Sequence, residues 1–101
     1  FQPHLYSRTA NFADRFAEAL SLADDVVVTS VYAAREDPTP GVEGDLVTSR
    51  MDPARAQFVP DRFEAARALA ARARPGDLVM TVGAGDVTEL GPTILDQIGQ
   101  R

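Results

Sequence analysis

The chain has 101 residues, of which 45% are hydrophobic, and this length and composition suit one small globular domain with a single core. Its 15 acidic residues outnumber its 10 basic residues, all of them arginine, so the formal charge of -5 argues against a broad nucleic-acid interface, and the missing lysine excludes Schiff-base and P-loop chemistry. The missing cysteine excludes disulfides and thiolate sites, and because no apolar run could span a bilayer and no secretion signal opens the chain, we expect a cytoplasmic protein without a membrane partner.

The opening residues predict a loop followed by a helix. The loop takes residues 1–9, and the helix is expected over about residues 10–22, with Thr9 or Asn11 as its cap. Apolar side chains recur at the spacing of one helical face, which predicts that this face is buried. Its members are Phe12, Ala13, Phe16, Ala17 and Leu20.

A buried strand and a long loop come next. Residues 26–31 are largely β-branched and lack polar alternation, which predicts a strand covered on both faces, as in the middle of a parallel sheet. Residues 33–45 carry prolines, glycines and charges, which predict a loop at the carboxyl end of that strand. A short helix over about residues 45–50 and a brief strand over residues 56–59 are expected to follow.

The next helix and strand have clear boundary signals. Asp61 and Glu64 form a variant capping box, which predicts a helix running to about residue 73. Residues 78–82 are apolar and follow a turn, so they predict another buried strand. The buried face of the helix is expected to contain Phe63, Ala66, Leu69 and Ala70.

A last helix is expected over about residues 87–98, although it could instead start at Pro92, because an interior proline removes a hydrogen bond. The predicted order is loop, helix, strand, loop, strand, helix, strand, helix. This order implies right-handed crossovers in an open α/β domain of Rossmann-like type, with a mainly parallel sheet and flanking helices. Ligands of such sheets bind at the carboxyl ends of the strands.

Polar residues that could bind a ligand lie in the opening loop and after the strand predicted at residues 26–31. His4 and Arg8 precede a helix, where an imidazole, a guanidinium and free backbone N–H groups could grip a carboxylate or phosphate. Tyr32, Arg35 and Glu36 follow the strand at residues 26–31, where an acid could face an ammonium and an arginine an anion. The alternatives are a surface arginine for Arg8, a loop-capping role for His4 and, for the second group, an ordinary charged loop with an internal ion pair.

A glycine-rich turn follows the strand at residues 78–82. Gly83 and Gly85 suit positive φ or the close approach of a ligand, and Asp86 stands at a helix N-cap position. The turn lacks the third glycine of a dinucleotide fingerprint, because Thr88 stands there. It is either a tight strand-to-helix turn or part of a ligand site. A rival function is therefore a non-catalytic Rossmann-like module that binds a nucleotide at this turn.

Three stretches of the chain resemble one enzyme family. Residues 1–8, FQPHLYSR, are similar to the FQPHxYSR signature of the Mur ligases that join L-alanine to UDP-N-acetylmuramate, in an actinobacterial form, and residues 31–41 and 76–86 agree in order and spacing. The resemblance implies that residues 1–101 are the C-terminal, amino-acid-binding domain without its first strand or strands. The central ATP-binding and N-terminal UDP-binding domains would lie outside this sequence. Leu5 departs from the family, in which many members have a further arginine.

The resemblance also implies a function and a set of contacts. ATP phosphorylates the muramoyl carboxylate in this family, the alanine amine attacks the acyl phosphate, and magnesium accompanies the phosphates, in a step of peptidoglycan biosynthesis that affects cell shape and cell division. The C-terminal domain positions the amino acid and closes over the ATP site, so this chain alone is expected to be inactive and to bind no cofactor firmly. No catalytic residue and no metal ligand are expected in it. The residues implied to contact the substrate are His4, Arg8, Tyr32, Arg35, Glu36, Gly83, Gly85 and Asp86.

Overall fold

The computed structural model describes residues 1–100, and helices alternate with strands along most of the chain. No helix among these residues is long and apolar enough to cross a membrane. The elements are α1 (Tyr6–Leu20), β1 (Val26–Val28), α2 (Asp45–Thr48), β2 (Ala56–Phe58), α3 (Arg62–Arg72), a 3₁₀ turn (Asp86–Glu89) and α4 (Leu90–Gly99).

A small parallel sheet lies at the centre of the fold. Strands β1 and β2 run parallel, with Val26 opposite Ala56 and Val28 opposite Phe58. All three valines of β1 are buried, as predicted for a strand covered on both faces. On the other side of β1, His4 and Tyr32 form a single parallel bridge. The α/β class is confirmed, with the opening residues lying beside β1 like the end of a further strand.

Helix α1 begins four residues earlier than expected and ends at Leu20. The expected cap is wrong, because the N-cap position belongs to Leu5, which supplies no side-chain hydrogen bond. A carboxylate from a distant loop supplies the bond instead: Glu36 accepts from the Ser7 N–H at 3.0 Å. Thr9 is fully buried inside the helix, where its hydroxyl donates to the Leu5 carbonyl at 2.8 Å.

The hydrophobic core has two parts. In the first, Ala13 and Ala17 of α1 pack against Val47 of α2. Phe12 was expected on this buried face, but it has a non-helical φ of -122° and is 42% exposed, so that expectation is wrong. The second part lies between α3 and α4 and contains Ala66, Ala70, Val87, Leu90 and Ile94.

Helix α3 starts where the sequence predicts. The carboxylate of Asp61 accepts hydrogen bonds from the backbone N–H groups of Phe63 and Glu64, at 2.8 and 2.9 Å. The carboxylate of Glu64 pairs with Arg67 one turn later. Phe63 is wrong as a core residue because it is 42% exposed, with the guanidinium of Arg62 over its ring.

The prediction of a strand over residues 78–82 is wrong, because no strand forms there. These residues lie in no helix or strand and do not pair with a strand. A single backbone hydrogen bond among the described residues joins them to the opening segment: the Gln2 N–H donates to the Val82 carbonyl at 2.9 Å. Leu78 and Met80 are 84% and 64% exposed. An isolated strand gains too little to hold its backbone in place, because sheets are stabilised by pairing.

The last helix starts with a 3₁₀ turn and becomes α-helical at Leu90. Pro92 lies in the first turn of α4, where a missing N–H costs nothing, because that group has no partner within the helix. The cap position is held by Gly85 rather than Asp86, so the expectation for Asp86 is wrong. Its carboxylate instead accepts from the side-chain amide of Gln2, at 2.8 Å.

Candidate functional site

His4 and Tyr32 form the centre of the candidate site, at the carboxyl end of β1. Their rings stack with centroids 5.8 Å apart and planes 18° apart. Backbone bonds hold them together, because the Tyr32 N–H donates to the Pro3 carbonyl and the Leu5 N–H donates to the Tyr32 carbonyl. The Nδ1 atom of His4 is buried and has no hydrogen-bond partner among residues 1–100. A polar atom in that condition is a candidate for contact with a ligand.

Two residues beside this pair have strained backbones. Leu5 has a φ of 68° and Ala34 a φ of 54°, in the left-handed region that side chains with a Cβ rarely adopt. Such strain costs on the order of 1–3 kcal/mol at each residue and is found most often at functional sites. Leu5 directly follows His4 and Ala34 lies two residues after Tyr32, so the strain next to the stacked pair supports a functional role for these residues.

Glu36 closes the start of α1. Its carboxylate accepts from the Ser7 hydroxyl at 2.5 Å and from the Ser7 N–H at 3.0 Å. These two bonds, the hydroxyl first, lower the pKa of Glu36 below its ordinary value. The expectation that the helix start offers free N–H groups to a ligand is therefore wrong for Ser7, whose N–H is taken from within the chain.

The two arginines expected at the site are free of partners. Arg8 lies in the first turn of α1 and Arg35 in the loop after Tyr32, and both are exposed. Neither guanidinium makes a hydrogen bond or an ion pair with another residue in the described range 1–100. Of the adjacent pair Arg35 and Glu36, it is Glu36 that turns toward α1. A guanidinium without an internal partner retains its full capacity for a bidentate bond with a carboxylate.

The glycine turn packs directly against the stacked pair. A Cβ on Gly85 would stand 2.7 Å from the Tyr32 ring and from the side-chain oxygen of Gln2, and one on Gly83 would stand 2.7 Å from Val87. Neither glycine has positive φ. Glycine is therefore needed at these two positions because other atoms approach the backbone closely. Those atoms belong to this chain rather than to a ligand. This packing weakens the rival reading of a nucleotide-binding turn.

Gln2 is the residue that connects the turn to the first segment, and sequence reasoning missed it. It is buried, its amide nitrogen donates to Asp86, and its oxygen accepts from the Val87 N–H at 3.3 Å. Arg62 approaches the other carboxylate oxygen of Asp86 at 3.4 Å. The position of Gln2 inside the FQPH stretch could have identified it from the sequence. No sequence pattern could have identified Arg62, because its partner Asp86 is 24 positions away.

Glu43 was also missed and shapes the same region. One oxygen of its carboxylate accepts from the Val31 N–H at 2.6 Å and from the Gly44 N–H at 2.8 Å. It thereby ties the long loop to the end of β1. Because Val31 and Glu43 are 12 positions apart in the chain, no local sequence pattern predicts their contact.

A shallow pocket of about 330 Å³ lies next to these residues, at the carboxyl end of β1 and the start of α3. Tyr32 and Asp86, both expected site residues, line it together with Gln2 and Arg62. His4 adjoins it through the stack with Tyr32. Within residues 1–100, no three histidine, aspartate or glutamate side chains are grouped so that they could hold a metal ion.

The fold belongs to the class of α/β domains with a parallel sheet, in which ligands bind at the carboxyl ends of the strands. The family described as "Mur ligase, glutamate ligase domain" matches residues 2–85. The UDP-N-acetylmuramate--L-alanine ligase of Thermobifida fusca is 57% identical over 99 residues, which are 98% of this chain and 21% of that protein. The same-named ligase of Renibacterium salmoninarum is 58% identical over 98 residues, 97% of this chain and 21% of that protein.

A third relative, the UDP-N-acetylmuramate--L-alanine ligase of Kineococcus radiotolerans, is 57% identical over 103 residues, covering 100% of this chain and 22% of that protein. The chain therefore belongs to the Mur ligase family and corresponds to its C-terminal domain. It spans about a fifth of the length of these relatives.

Proposed function

We propose that the chain is the amino-acid-binding domain of an ATP-dependent ligase that joins L-alanine to UDP-N-acetylmuramate in peptidoglycan biosynthesis. The observation that carries the proposal is the meeting of His4, Tyr32 and the Gly83–Asp86 turn at one rim, in a chain 57% identical to ligases of that name. The central ATP-binding and N-terminal UDP-binding domains belong to the rest of the enzyme. With no cysteine in the sequence, the chain suits the reducing cytoplasm, where we place the enzyme.

Arg8 and His4 are proposed to hold the α-carboxylate of alanine. Arg8 offers the planar fork that matches a carboxylate, and no internal ion pair competes for it within the described residues. His4 contributes its unpartnered Nδ1, and the stack with Tyr32 fixes the orientation of the imidazole. Arg35, Glu36, Gly83, Gly85 and Asp86 complete the proposed set of residues around the amino acid.

The contribution of this domain to the reaction is positional. By fixing the carboxylate of alanine and closing over the ATP site, it directs the amine toward the muramoyl acyl phosphate. Orientation of this kind lowers a barrier by about 7–11 kcal/mol in favourable cases. ATP and magnesium supply the activation, and the described residues offer no carboxylate cluster for the metal. We propose, from the resemblance to the family, that the central domain supplies most of the metal ligands.

The decisive test is Arg8→Ala in the full-length ligase. We expect the Michaelis constant for alanine to rise by about 10- to 100-fold, because hydrogen bonds to a charged group contribute about 1.5–3 kcal/mol, while the constant for ATP stays within about twofold. Arg15→Ala is the matched control, since Arg15 is also exposed on α1 but lies over the Phe12 ring, two turns further on. An unchanged alanine constant in Arg8→Ala, or an equal rise in the Arg15→Ala variant, would remove Arg8 from the site.

A further inference from the structure

The backbone after β1 pairs irregularly with the opening segment. The Thr29 N–H donates to the Phe1 carbonyl at 2.9 Å. Two residues further along the opening segment, the Pro3 carbonyl accepts from the Tyr32 N–H at 2.8 Å. Tyr32 is three residues beyond Thr29, whereas a regular parallel ladder advances by two residues on each strand between such bonds. One extra residue therefore lies on the β1 side, which is a β-bulge.

The bulge decides which side chain faces His4. In a regular ladder the Pro3 carbonyl would accept from the Val31 N–H, which would place Val31 opposite His4. With the extra residue in place, Tyr32 takes that position and forms the parallel bridge with His4. The two rings then stack with their centroids 5.8 Å apart. The stacked pair therefore depends on the bulge, and bulges beside binding sites are known to re-aim a side chain in this way.

Glu43 accepts the N–H group that the bulge displaces from the ladder. The Pro3 carbonyl, which would serve Val31 in a regular ladder, accepts from Tyr32 instead. The Val31 N–H donates to the Oε1 atom of Glu43 at 2.6 Å. An N–H group left unpartnered in this partly buried position would favour a return to the regular register, in which it regains a carbonyl. The carboxylate therefore stabilises the bulged register relative to the regular one.

The position of Glu43 is itself fixed by close packing. The same Oε1 atom accepts from the Gly44 N–H at 2.8 Å. A Cβ on Gly44 would collide with the Thr29 carbonyl oxygen and with the Phe58 ring, so only glycine allows this part of the loop to lie against the end of β1. Val47, in the helix α2 that follows, is fully buried. Glu43 therefore stands between the core and the bulge rather than on a free part of the loop.

We propose that Glu43 is a positioning residue for the amino-acid site. By accepting the Val31 N–H it holds the bulge, and the bulge holds the Tyr32 ring against the His4 imidazole. Glu43 acts through these residues and does not itself contact the amino acid. The consequence for alanine rests on the proposed function, in which His4 holds the α-carboxylate, whereas the consequence for the stacked pair does not.

The first test compares two substitutions of Glu43 in the full-length ligase. In Glu43→Ala no side-chain acceptor remains for the Val31 N–H, and we expect the Michaelis constant for alanine to rise by about 5- to 50-fold, while the constant for ATP stays within about twofold. In Glu43→Gln the amide oxygen can accept both bonds, so we expect an alanine constant within about threefold of the parent. An unchanged alanine constant in Glu43→Ala would overturn the proposal.

The control variants separate the hydrogen bond from the charge. A Glu43→Gln enzyme as impaired as Glu43→Ala would assign the effect to the negative charge and would also overturn the proposal. Asp45→Ala removes an exposed carboxylate from the first turn of α2, two positions from Glu43, and leaves the bulge intact. Its alanine constant should stay within about twofold of the parent. An equal rise in Asp45→Ala and Glu43→Ala contradicts a specific role for the Val31 bond.

The second test observes the stacked pair directly and does not depend on activity. The full-length ligase is labelled with fluorotyrosine, and the Tyr32 ¹⁹F resonance is assigned from its absence in Tyr32→Phe. We expect this resonance to move in His4→Ala and in Glu43→Ala, and to keep its parental position in Glu43→Gln. In the Glu43→Ala background, removal of His4 should move it far less than in the parent, because the rings no longer stack. A Tyr32 resonance that Glu43→Ala leaves in place refutes the positioning role.

A measurement on the unsubstituted ligase covers the case in which Glu43→Ala does not fold. With ¹⁵N-valine labelling, the Val31 amide proton should resonate at unusually low field and exchange slowly, because its bond of 2.6 Å is to a charged acceptor. An ordinary shift with rapid exchange would overturn the proposal. The two tests also separate it from the proposed function. If Arg8→Ala leaves the alanine constant unchanged while the Tyr32 resonance still responds to Glu43→Ala, the proposed function fails and the positioning of the stacked pair by Glu43 stands.

Discussion

In a polypeptide prepared so that Phe1 is its first residue, the buried amine of Phe1 makes the free energy of unfolding depend on pH in a window where few groups titrate. The amine donates to the Val27 carbonyl, and its burial lowers its pKa from 8.0 to about 6. Below about pH 6 both the folded and the unfolded chain bind the proton, and the folded chain bears the full cost of a desolvated charge. Above pH 8 neither binds it, and that cost disappears. The free energy of unfolding must therefore rise as the pH increases from 6 to 8.

The size of the effect follows from the difference in pKa. Two units correspond to about 3 kcal/mol, a substantial part of the stability of a small domain. The assay is urea denaturation followed by circular dichroism at about pH 5.5, 7 and 8.5, on a chain whose first residue is Phe1. The same chain acetylated at Phe1 is the control, because every other group titrates equally in both and cancels in the difference.

The result that would refute the reasoning is an equal pH slope in the two chains. It would mean that the amine is hydrated in the folded state and that the environment of Phe1 is open. A steeper slope in the acetylated chain would contradict it as well. Packing of the Phe1 ring against Phe16, with centroids 5.2 Å apart, is the contact that keeps the first residue in place, and it is common to both chains.

Three further predictions concern the rim. Gly85→Ala should destabilise the chain by about 1–3 kcal/mol in urea denaturation and perturb the resonances of Tyr32, since a Cβ would stand 2.7 Å from that ring; unchanged Tyr32 resonances would contradict it. Glu36→Gln should lower the melting temperature at neutral pH and weaken its dependence on acid below pH 4.5, because the lowered pKa of this group gives stability that is lost as the carboxylate becomes protonated; an unchanged acid profile would show that the Ser7 bonds contribute nothing. Thr9→Val should cost about 1 kcal/mol, since it removes a buried hydrogen bond without a large change in shape, whereas Thr9→Ser, which keeps the hydroxyl, serves as the comparison; a Thr9→Val chain as stable as the parent would contradict the role of that bond.

The sequence predicts the elements whose signals are local. Asp61 caps α3 where its pattern indicates, and the β-branched run around Val27 forms a buried strand. The start of α1 escaped prediction because its capping carboxylate belongs to Glu36, 29 residues beyond Ser7. Residues 78–82 have the composition of a strand, but composition cannot supply the neighbour that a ladder needs.

The sequence predicts several residues of the candidate site but not the contacts between them. His4, Tyr32 and Asp86 were expected at one rim, and the structure brings them together through Gln2 and the Gly85 approach. That these residues bind an amino acid stays a prediction. The contacts themselves join residues far apart in the chain, as in the pairing of Arg62 with Asp86, and sequence spacing carries no information about such pairs.

The side-chain amide of Gln2 joins the opening segment to the turn at Asp86, 84 positions away. Its nitrogen donates to the Asp86 carboxylate, and its oxygen accepts from the Val87 N–H. Because that amide is buried and both its oxygen and its nitrogen are engaged, neither part can swing away without leaving polar atoms unsatisfied. These bonds therefore oppose a hinge motion between the opening segment and the glycine turn. Under the proposed function, a motion of this domain would therefore carry His4, Tyr32 and the glycine turn together, without changing the distances between them.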